Sequence, residues 1–340
     1  MKKIIVTGGL GFIGSNLIEY LISLGHFIIN IDKANYSSNY YNTINFKDSK
    51  NYKFLKFDIC NRQKLSKVIK KYKPECIFNL AAETHVDRSI DSSDNFIKTN
   101  ILGVHSILES LLQNKSTKLI HISTDEVYGN IDYLKKAREN NPYNPKNPYS
   151  ATKAASDHLI RSYANTYNIK AIITNCCNNY GPKQNPEKLI PKIISNIFNK
   201  KKLIVYGRGQ HEREWIYVLD HCKALYQIHK KGKINQTYNI GSGENYKNID
   251  LIKKLIKVAI KKNIYNTKSK IKFVKDRPGH DLRYALNSKK IRKYIKWRPA
   301  ITLNKGLENT IDWCIYNKKF YKFIRNKNFT NRLGMIKWLK

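Results

Sequence analysis

Residues 2–14 have the sequence Lys2-Lys-Ile-Ile-Val-Thr-Gly-Gly-Leu-Gly-Phe-Ile-Gly14. The apolar first half predicts a buried strand, and residues 12–24 have the apolar spacing of an amphipathic helix. A second strand is predicted over residues 27–31 and is followed directly by Asp32. This order of strand, glycine turn, helix, strand and acid is typical of a dinucleotide-binding unit.

The residue types of this unit indicate its cofactor. Glycines let the backbone approach a pyrophosphate closely, and the N-terminus of the following helix favours its negative charge. Asp32 can accept hydrogen bonds from ribose hydroxyls and would repel a 2′-phosphate, which favours NAD over NADP. We expect the cofactor to contact Gly8, Gly11, Phe12, Ile13, Gly14, Asp32, Lys33 and Asn35.

Strand-like and helical runs continue to alternate along the chain. Strands are predicted at residues 52–57, 76–80, 118–122 and 170–174, and helices at residues 62–71, 94–112 and 149–167. Such alternation indicates a parallel sheet with helices on both faces. The predicted fold is therefore α/β: a Rossmann-type doubly wound parallel sheet with a smaller C-terminal substrate-binding part.

A change of pattern after residue 177 suggests the domain boundaries. We predict an NAD-binding domain over residues 1–177, to which later segments at about 215–240 return. Residues 178–320 are predicted to form mainly the substrate-binding part. Residues 321–340 are rich in Lys and Asn, which predicts a weak terminal helix or a loose tail.

Further candidate cofactor contacts follow the third and fourth strands. Asp58 and Ile59 come after the third strand, and Leu80, Ala81 and Ala82 come after the fourth. In open α/β sheets the ligand lies outside the carboxyl ends of the strands, so these residues are candidates for the adenine, ribose and nicotinamide. The alternatives are a plain turn at Asp58 and packing spacers at the alanines.

A second stretch carries candidate catalytic groups. Ser123-Thr-Asp-Glu126 follows a strand, and Tyr149 and Lys153 lie four residues apart on one helix face. A tyrosine is a poor base at neutral pH, and an adjacent ammonium favours its phenolate. Taken singly, an Asp-Glu pair is more often a helix cap, and Tyr-x-x-x-Lys occurs by chance on many helices. Together, behind a dinucleotide-binding unit, they favour redox and elimination chemistry in one pocket.

Composition narrows the class of protein. The 340-residue chain has a formal net charge of +38, but its basic clusters are short and scattered and no nucleic-acid-binding motif accompanies them. This favours a solvated basic surface over a nucleic-acid binder. The sequence has no apolar run of membrane-span or signal-peptide length, and its cysteines show no C-x-x-C pairing. We expect a cytoplasmic enzyme with a small-molecule substrate, without a nucleic-acid partner, membrane contact or bound metal.

The motifs resemble the extended short-chain dehydrogenase/reductase family and, within it, the dTDP-glucose 4,6-dehydratases. The resemblance runs from about residue 2 to about residue 315. It is carried by residues 6–16, 81–90, 123–129, 148–154, 178–182, 186–191 and 276–281. The Asp125-Glu126 pair discriminates within the family. Related epimerases lack it, and GDP-mannose dehydratases and UDP-glucuronate decarboxylases usually carry Thr-Ser-Glu there.

The resemblance implies NAD-dependent dehydration of a nucleotide hexose. Tyr149, beside Lys153, would remove the C4 hydroxyl proton while Thr124 orients that oxygen. Glu126 would then remove the C5 proton, and Asp125 would protonate the departing C6 hydroxyl; spacing alone does not decide between these two roles. The resemblance also assigns Thr99, Asn179, Tyr149 and Lys153 to the cofactor. The implied substrate contacts are Thr84, Thr124, Asn178, Lys188, Leu189, Arg213, Asn248, Arg277 and His280.

Some positions depart from the family pattern, and other functions stay open. Leu10, Asn175 and Glu214 stand where Ala, Arg and Asp are usual, but none of them replaces a catalytic group. The alternatives are a related NAD-dependent epimerase or decarboxylase, and a basic binding protein on a retained dehydrogenase fold. Family members pair as homodimers through two helices each, for which the helices over residues 94–112 and 149–167 are our candidates.

Overall fold

The structure, a computed structural model, describes residues 1–324. Its strands are β1 (Lys3–Thr7), β2 (Phe27–Asp32), β3 (Tyr52–Lys56), β4 (Cys76–Asn79), β5 (Lys118–Thr124), β6 (Ala171–Cys176), β7 (Asn178–Tyr180), β8 (Leu203–Tyr206), β9 (Glu212–Tyr217), β10 (Gln236–Ile240), β11 (Asn245–Lys247) and β12 (Ile271–Val274). Its helices are α1 (Phe12–Ser23), α2 (Arg62–Tyr72), α3 (Val86–Asp91), α4 (Asp94–Phe96), α5 (Gly103–Leu112), α6 (Pro148–Tyr167), α7 (Leu189–Phe198), α8 (Val218–Lys231), α9 (Asn248–Lys261) and α10 (Leu303–Tyr316).

Seven strands form one sheet in the order β10-β6-β5-β4-β1-β2-β3, and every neighbouring pair is parallel. The predicted Rossmann-type α/β fold is therefore confirmed. The order reverses between β1 and β4, which opens a crevice at the carboxyl ends of these strands. Strand β10 joins the sheet beside β6 after the chain has left it at Cys176. The domain boundaries themselves stay a prediction.

The sheet is buried on both faces because its strands are apolar at successive positions. On β1, Ile4 packs with α1 and α8, whereas its neighbour Ile5 packs with α2, α5 and α6 on the opposite face. Both side chains are fully buried. This two-sided burial fixes the strand ends rigidly, and so it fixes the groups that the strands deliver to the crevice.

The C-terminal part has its own small sheets and core. Strands β7, β9 and β11 form one sheet, and β8 pairs with β12 in another. Buried side chains of α7, α9 and α10 pack together under these strands. Because β7 follows β6 after a single residue, this part lies directly against the carboxyl end of the main sheet.

Two details differ from the sequence-based expectations, and a third expectation is not tested. Strands β5 and β6 extend to Thr124 and Cys176, because these two residues pair with each other at the end of the sheet. The helix expected over residues 94–112 contains a π-helical segment, Ile97–Leu102. This wider turn buries both Thr99 and Asn100, and such bulges are frequent at functional sites. The expected tail falls mostly on residues 325–340, outside the described residues.

The described residues also bear on the environment of the chain. All six cysteines lie within residues 1–324 as free thiols. Within the same residues, no helix combines the length and apolar character that a bilayer crossing needs.

Candidate active site

A cavity of about 310 Å³ lies in the crevice at the carboxyl ends of the main-sheet strands. The structure brings most of the predicted site residues together in its lining. Those from the cofactor set are Gly8, Gly11, Phe12, Ile13, Gly14, Asp32, Lys33, Asn35, Asp58, Ile59, Leu80, Ala81, Ala82, Thr99, Tyr149, Lys153 and Asn179. Those from the catalytic and substrate sets are Thr84, Thr124, Asp125, Glu126, Asn178, Lys188 and Leu189.

The glycine turn suits a pyrophosphate. Gly8 has a φ of +73°, and a Cβ there would lie 2.8 Å from the Ala81 backbone nitrogen. A Cβ on Gly14 would lie 2.3 Å from the Gly8 carbonyl oxygen. Helix α1 begins after Gly11, which offers no side-chain cap, so the first N–H groups of the helix can bind a phosphate. The residues present therefore fit a dinucleotide.

Replacing Gly8 by Ala should weaken both folding and cofactor retention. The left-handed φ and the contact with Ala81 each disfavour a Cβ, which predicts a stability loss of about 2 kcal/mol or more. Gly25→Ala is the matched control, because Gly25 has a φ of +79° but no atom within 4 Å of its Cβ position. Thermal unfolding and the NAD content of the purified variants measure both effects. Equal losses in the two variants would contradict the close approach at Gly8.

Asp32 fixes the turn as well as presenting a carboxylate. Its Oδ2 accepts a hydrogen bond from the Leu10 N–H at 3.0 Å. Its Oδ1 accepts from the Ala34 N–H at 2.7 Å and from the Ser38 hydroxyl at 2.8 Å. A carboxylate has about four acceptor positions, so Asp32 retains capacity for a ribose hydroxyl. Sequence reasoning missed Ser38, which lines the cavity from a loop without any recognisable pattern.

Lys33 joins the loops that follow three strands. Its ammonium donates to the Thr99 hydroxyl at 2.8 Å and lies 3.1 Å from the Glu83 carboxylate and 3.9 Å from that of Asp58. Asn35 also donates to Glu83, at 2.8 Å. Glu83 is therefore a further missed residue, and its role is to hold two of the predicted cofactor contacts in place.

Thr124 and Asp125 lie at the end of β5. Asp125 is buried; its Oδ1 lies 3.2 Å from the Thr124 hydroxyl, and its Oδ2 has no hydrogen-bond partner among the described residues. Burial first, and then the neighbouring Glu126 carboxylate, raise the pKa of Asp125 well above its usual value, with Arg213 opposing. Asp125 is thus suited to keep a proton at neutral pH and to donate it.

The sequence suggests that the Lys153 ammonium is enough to make Tyr149 a base, and the structure differs from that expectation. Burial first, and then Glu126 and Cys176, raise the pKa of Tyr149 well above its ordinary value, while a hydrogen bond with Thr124 opposes them. The Lys153 ammonium donates to the Ile122 carbonyl oxygen at 2.7 Å. Burial also lowers the pKa of Lys153 to about 8. The phenol therefore needs more positive charge than the chain supplies before it can lose its proton.

Four predicted substrate residues do not line the cavity. Arg213 donates to three carbonyl oxygens, those of Glu212 (2.8 Å), Asp281 (2.8 Å) and Leu282 (3.1 Å). The other three form a group beside it. Arg277 pairs with Asp87, His280 lies 2.8 Å from Asp276, and Asn248 begins α9 with a buried Oδ1 that has no partner among the described residues. Both arginines still lie within electrostatic range of the site, since the Glu126 carboxylate opposes the lowering of the Arg213 pKa by burial and, after Asp87, helps to raise the pKa of Arg277.

A histidine-carboxylate cluster lies in the same group. His211 Nε2 is 2.9 Å from Asp276, and the His211 and His280 rings stack with their centroids 3.7 Å apart. The ligand atoms of the three residues lie within 4.8 Å of one another. However, burial lowers the pKa of His280, and the positive charges of Arg277 and Arg213 lower it further. The same positive charges disfavour a metal ion at this cluster. The cluster is better suited to orienting His280.

The departures from the family pattern have structural roles. Glu214 is buried and accepts from the Leu286 N–H at 3.0 Å and from the Gly243 N–H. Asn175 donates to the Tyr128 hydroxyl at 2.8 Å. Leu10 is buried and donates its N–H to Asp32, so it packs within the turn without blocking it.

Comparison with known proteins identifies the family. Residues 5–310 match the family model described as GDP-mannose 4,6 dehydratase. The dTDP-glucose 4,6-dehydratase of Neisseria meningitidis serogroup B is 42% identical over 352 residues, covering 98% of this chain and 99% of that protein. The Escherichia coli enzyme of the same name is 40% identical over 360 residues, with 98% and 99% covered.

Solved structures agree with the sequence relatives. The dTDP-glucose 4,6-dehydratase of Bacillus anthracis, in complex with NAD, superposes with a TM-score of 0.88 at 37% identity, covering 96% of this chain and 100% of that one. The Streptomyces venezuelae enzyme has a TM-score of 0.89 at 35% identity, with 94% and 98% covered. UDP-glucose 4-epimerase from Thermotoga maritima is more distant, at 26% identity and a TM-score of 0.84. By fold, site and sequence, this chain belongs to the dTDP-glucose 4,6-dehydratase family.

Proposed function

We propose that this protein is an NAD-dependent hydro-lyase that converts dTDP-glucose to dTDP-4-keto-6-deoxyglucose and water. Its product would feed the synthesis of rhamnose-type deoxysugars for cell-surface polysaccharide. The observation that carries the proposal is the placement of Asp125 and Glu126 in the same cavity as Tyr149 and Lys153. Redox chemistry at one carbon and elimination at the next two need both pairs around a single sugar ring.

NAD would be held by the glycine turn, Asp32 and the lysine of the Tyr-x-x-x-Lys motif. When bound, NAD⁺ would take up the C4 hydride, return it to C6 after the elimination, and supply a positive charge that favours the Tyr149 phenolate. The environment of Tyr149 supports this role for the charge of the cofactor. Without that charge, burial keeps the pKa of Tyr149 well above its ordinary value, so the base becomes active together with the cofactor.

The first step in which side chains of the protein take part is removal of the proton from the C4 hydroxyl. Tyr149 accepts this proton at its phenolic oxygen, and Thr124, hydrogen-bonded to the same phenol, orients the sugar oxygen. Lys153 holds positive charge beside them and is fixed by the Ile122 carbonyl. A C4 ketone makes the C5 hydrogen acidic, which prepares the elimination.

The two carboxyls then divide the elimination between them. Glu126 takes the C5 proton, and Asp125 gives its proton to the departing C6 hydroxyl, which leaves as water. When C6 regains a hydride, Glu126 returns a proton, by then exchanged with solvent, to C5. The family resemblance assigns these roles, and the raised pKa of Asp125 supports them because that carboxyl is the one that favours its protonated form. The Asn147 amide donates to Glu126 at 3.3 Å and holds it on the cavity side of the turn.

The alternative activities lack a comparable use for this pair. An epimerase or decarboxylase eliminates no water, so it needs no buried protonated acid beside its base. The relatives near 40% identity over almost the whole chain are dehydratases.

The purified protein, incubated with dTDP-glucose in deuterated water, tests the proposal. We expect a product that has lost one water, carries deuterium at C5 and forms without net consumption of NAD. Mass spectrometry measures both the water loss and the label. A product that retains its water would favour the epimerase or decarboxylase and overturn the dehydratase.

We also propose that the enzyme is a cytoplasmic homodimer. The face made by the π-helical segment and α5 exposes apolar side chains, with Ile97 44% and Leu102 53% exposed. Together with α6, which packs beside α5, these helices could pair with their copies across a two-fold axis. Sedimentation of the full chain at micromolar concentration tests the dimer, and a monomer would contradict it.

A further inference from the structure

A buried polar group lies behind the catalytic lysine and is not used by the mechanism above. Lys153, His121 and Asp157 are 3%, 1% and 0% exposed. The Lys153 ammonium lies 3.1 Å from His121 Nε2, and the same ring nitrogen lies 3.5 Å from Asp157 Oδ1. Buried charges persist only when they are paired or hydrogen-bonded, so this arrangement needs a reason.

The neighbours of His121 indicate which nitrogen carries the ring proton. The Thr7 hydroxyl accepts from the Ala81 N–H at 3.1 Å and donates to Asn79 Oδ1 at 2.7 Å. The Asn79 amide nitrogen therefore faces His121 Nδ1, at 3.0 Å, and donates to it. Burial and Lys153 hold the pKa of His121 well below its usual value, so the ring is neutral with its proton on Nε2.

That proton faces two oxygens. The Ser156 hydroxyl lies 3.3 Å from Nε2 and can accept from it, because its own proton is donated to the Lys153 carbonyl oxygen at 2.8 Å. An N–H cannot donate to an ammonium, and Lys153 already donates to the Ile122 carbonyl. Asp157 Oδ1 lies 3.5 Å from the same ring nitrogen and makes no hydrogen bond among the described residues. The other oxygen, Oδ2, is occupied by the Ser123 hydroxyl at 2.7 Å and the Tyr143 hydroxyl at 3.1 Å. The Asp157 carboxylate therefore lies next to the ring nitrogen that contacts the Lys153 ammonium, without being hydrogen-bonded to it.

We propose that Asp157 is a positioning residue of the reaction: its negative charge, buried beside the His121 ring that Lys153 contacts, keeps Lys153 in the ammonium form. This inference rests on the proposed function, in which that ammonium lies beside the base. Asp157 lies four residues after Lys153 on α6, and so on the same face of the helix. Burial raises the pKa of Asp157, whereas Lys153, the Ser123 hydroxyl and Arg161 oppose that shift and favour the carboxylate. The Arg161 guanidinium also donates to the Tyr143 hydroxyl at 2.7 Å.

The charges around Lys153 set the direction of the effect. Burial lowers the pKa of Lys153 to about 8, while Asp157, and after it Cys176 on β6, oppose that loss. His121 on β5 is neutral and adds no charge. Removing the Asp157 charge must therefore lower the pKa of Lys153 further, and the ammonium would be lost within the working pH range.

Asp157→Asn tests this inference with little change of shape. The amide oxygen can still accept from Ser123 and Tyr143, whereas an NH₂ group replaces the oxygen that faces His121. We expect the alkaline limb of the kcat profile to move to lower pH by about one unit or more, with KM little changed. At pH 8, close to the pKa of Lys153, this corresponds to a fall in kcat of about fivefold or more.

Asp220→Asn is the matched control. Asp220 is 1% exposed, and its Oδ2 accepts from the Ala300 and Ile301 N–H groups at 2.9 and 2.8 Å. This variant should be less stable than the wild type, and the alkaline limb of its kcat profile should stay at the wild-type pH. A folded Asp157→Asn enzyme that also keeps the wild-type limb would overturn the inference, because a merely structural role predicts that outcome.

Asn79→Asp supplies a second variant with the opposite sign. A carboxylate at Asn79 would draw the ring proton of His121 to Nδ1, so that Nε2 accepts from the Lys153 ammonium. The alkaline limb should then move to higher pH. An unchanged or lowered limb would show that charge beside His121 does not set the form of Lys153, and would contradict the proposal even if Asp157→Asn fails to fold.

A titration without substrate separates this inference from the proposed function. The phenolate absorbance of Tyr149, taken as the difference between each NAD-loaded protein and its Tyr149→Phe counterpart, should titrate at higher pH in Asp157→Asn than in the wild type. An unchanged titration would count against Asp157 whatever the wild type does with dTDP-glucose. A shifted titration in a protein that does not dehydrate this sugar would count against the function alone.

Discussion

Tyr149→Phe should lower kcat for dTDP-glucose by about 10²–10⁴-fold, which is the usual contribution of a general base. The substitution removes the oxygen that accepts the C4 hydroxyl proton and keeps the ring that packs against Phe96. Binding of the nucleotide should change little, so the effect should appear in kcat rather than in KM. Steady-state kinetics with the NAD-loaded enzyme measure both constants.

Tyr238→Phe provides the control for that experiment. Tyr238 is 1% exposed on β10, and its hydroxyl accepts the Lys233 N–H at 3.0 Å. Loss of this hydrogen bond should destabilise the fold by about 1 kcal/mol and leave kcat near the wild-type value. If Tyr149→Phe retained turnover at the level of this control, the base would lie elsewhere.

Asp125→Asn should produce the second large effect, a fall in kcat of roughly 10²–10⁴-fold. An amide fills the same space but cannot protonate the departing C6 hydroxyl. Dehydration should stop at the elimination, and mass spectrometry would find dTDP-glucose that has not lost water. Near-normal release of water by this variant would contradict the role of Asp125 as the acid.

The same substitution should make the protein more stable at neutral pH. The pKa of Asp125 in the folded protein is raised, mainly by burial, so folding disfavours its ionised form. Its contribution to stability is therefore complete below the ordinary Asp pKa and is lost as the pH rises through the raised value. Asparagine never ionises. We expect the Tm of the variant to exceed that of the wild type by ~1–3 °C at pH 8 and to match it near pH 4.

Asp125→Asn is thus expected to lower kcat and, at neutral pH, to raise the stability of the fold. If Asp125 were retained only for packing, its replacement would lower the stability as well as kcat. Asp125 is buried beside Glu126 with an oxygen that has no hydrogen-bond partner among residues 1–324, which is unfavourable for folding alone. The arrangement is explained if that oxygen is reserved for the substrate.

Local sequence was enough to predict the core of the fold. The strand, glycine turn, helix and Asp32 follow from backbone conformations that few residues permit and from periodicities that fit within a single helix or strand. Asp125 and Glu126 were also predictable as neighbours of the sugar, because they follow a strand whose carboxyl end must face the crevice.

Contacts between distant segments explain what local sequence could not predict. Asn100 forms hydrogen bonds with Glu83 and with Thr152 of α6, and nothing near residue 100 indicates the π-helical segment that places it there. Arg213 was expected to contact the substrate, yet its guanidinium donates to carbonyl oxygens 68 and 69 residues away.

The partners of Lys153 depend on strand register in the same way. His121 reaches Asn79 because the two residues are paired across β5 and β4. Asp157 reaches His121 only because α6 crosses over β5. A search for residue patterns could not find this trio, since its members belong to separate elements and match no short motif.

The central claim is that redox and elimination steps occur on one hexose without exchange of the transferred hydrogen. The most direct measurement uses dTDP-glucose deuterated at C4, mixed with an equal amount of unlabelled substrate and converted by the wild-type enzyme. We predict that the deuterium appears at C6 of the product molecules that carried it at C4. Loss of the label to solvent, or its transfer to product molecules from the unlabelled substrate, would contradict the account.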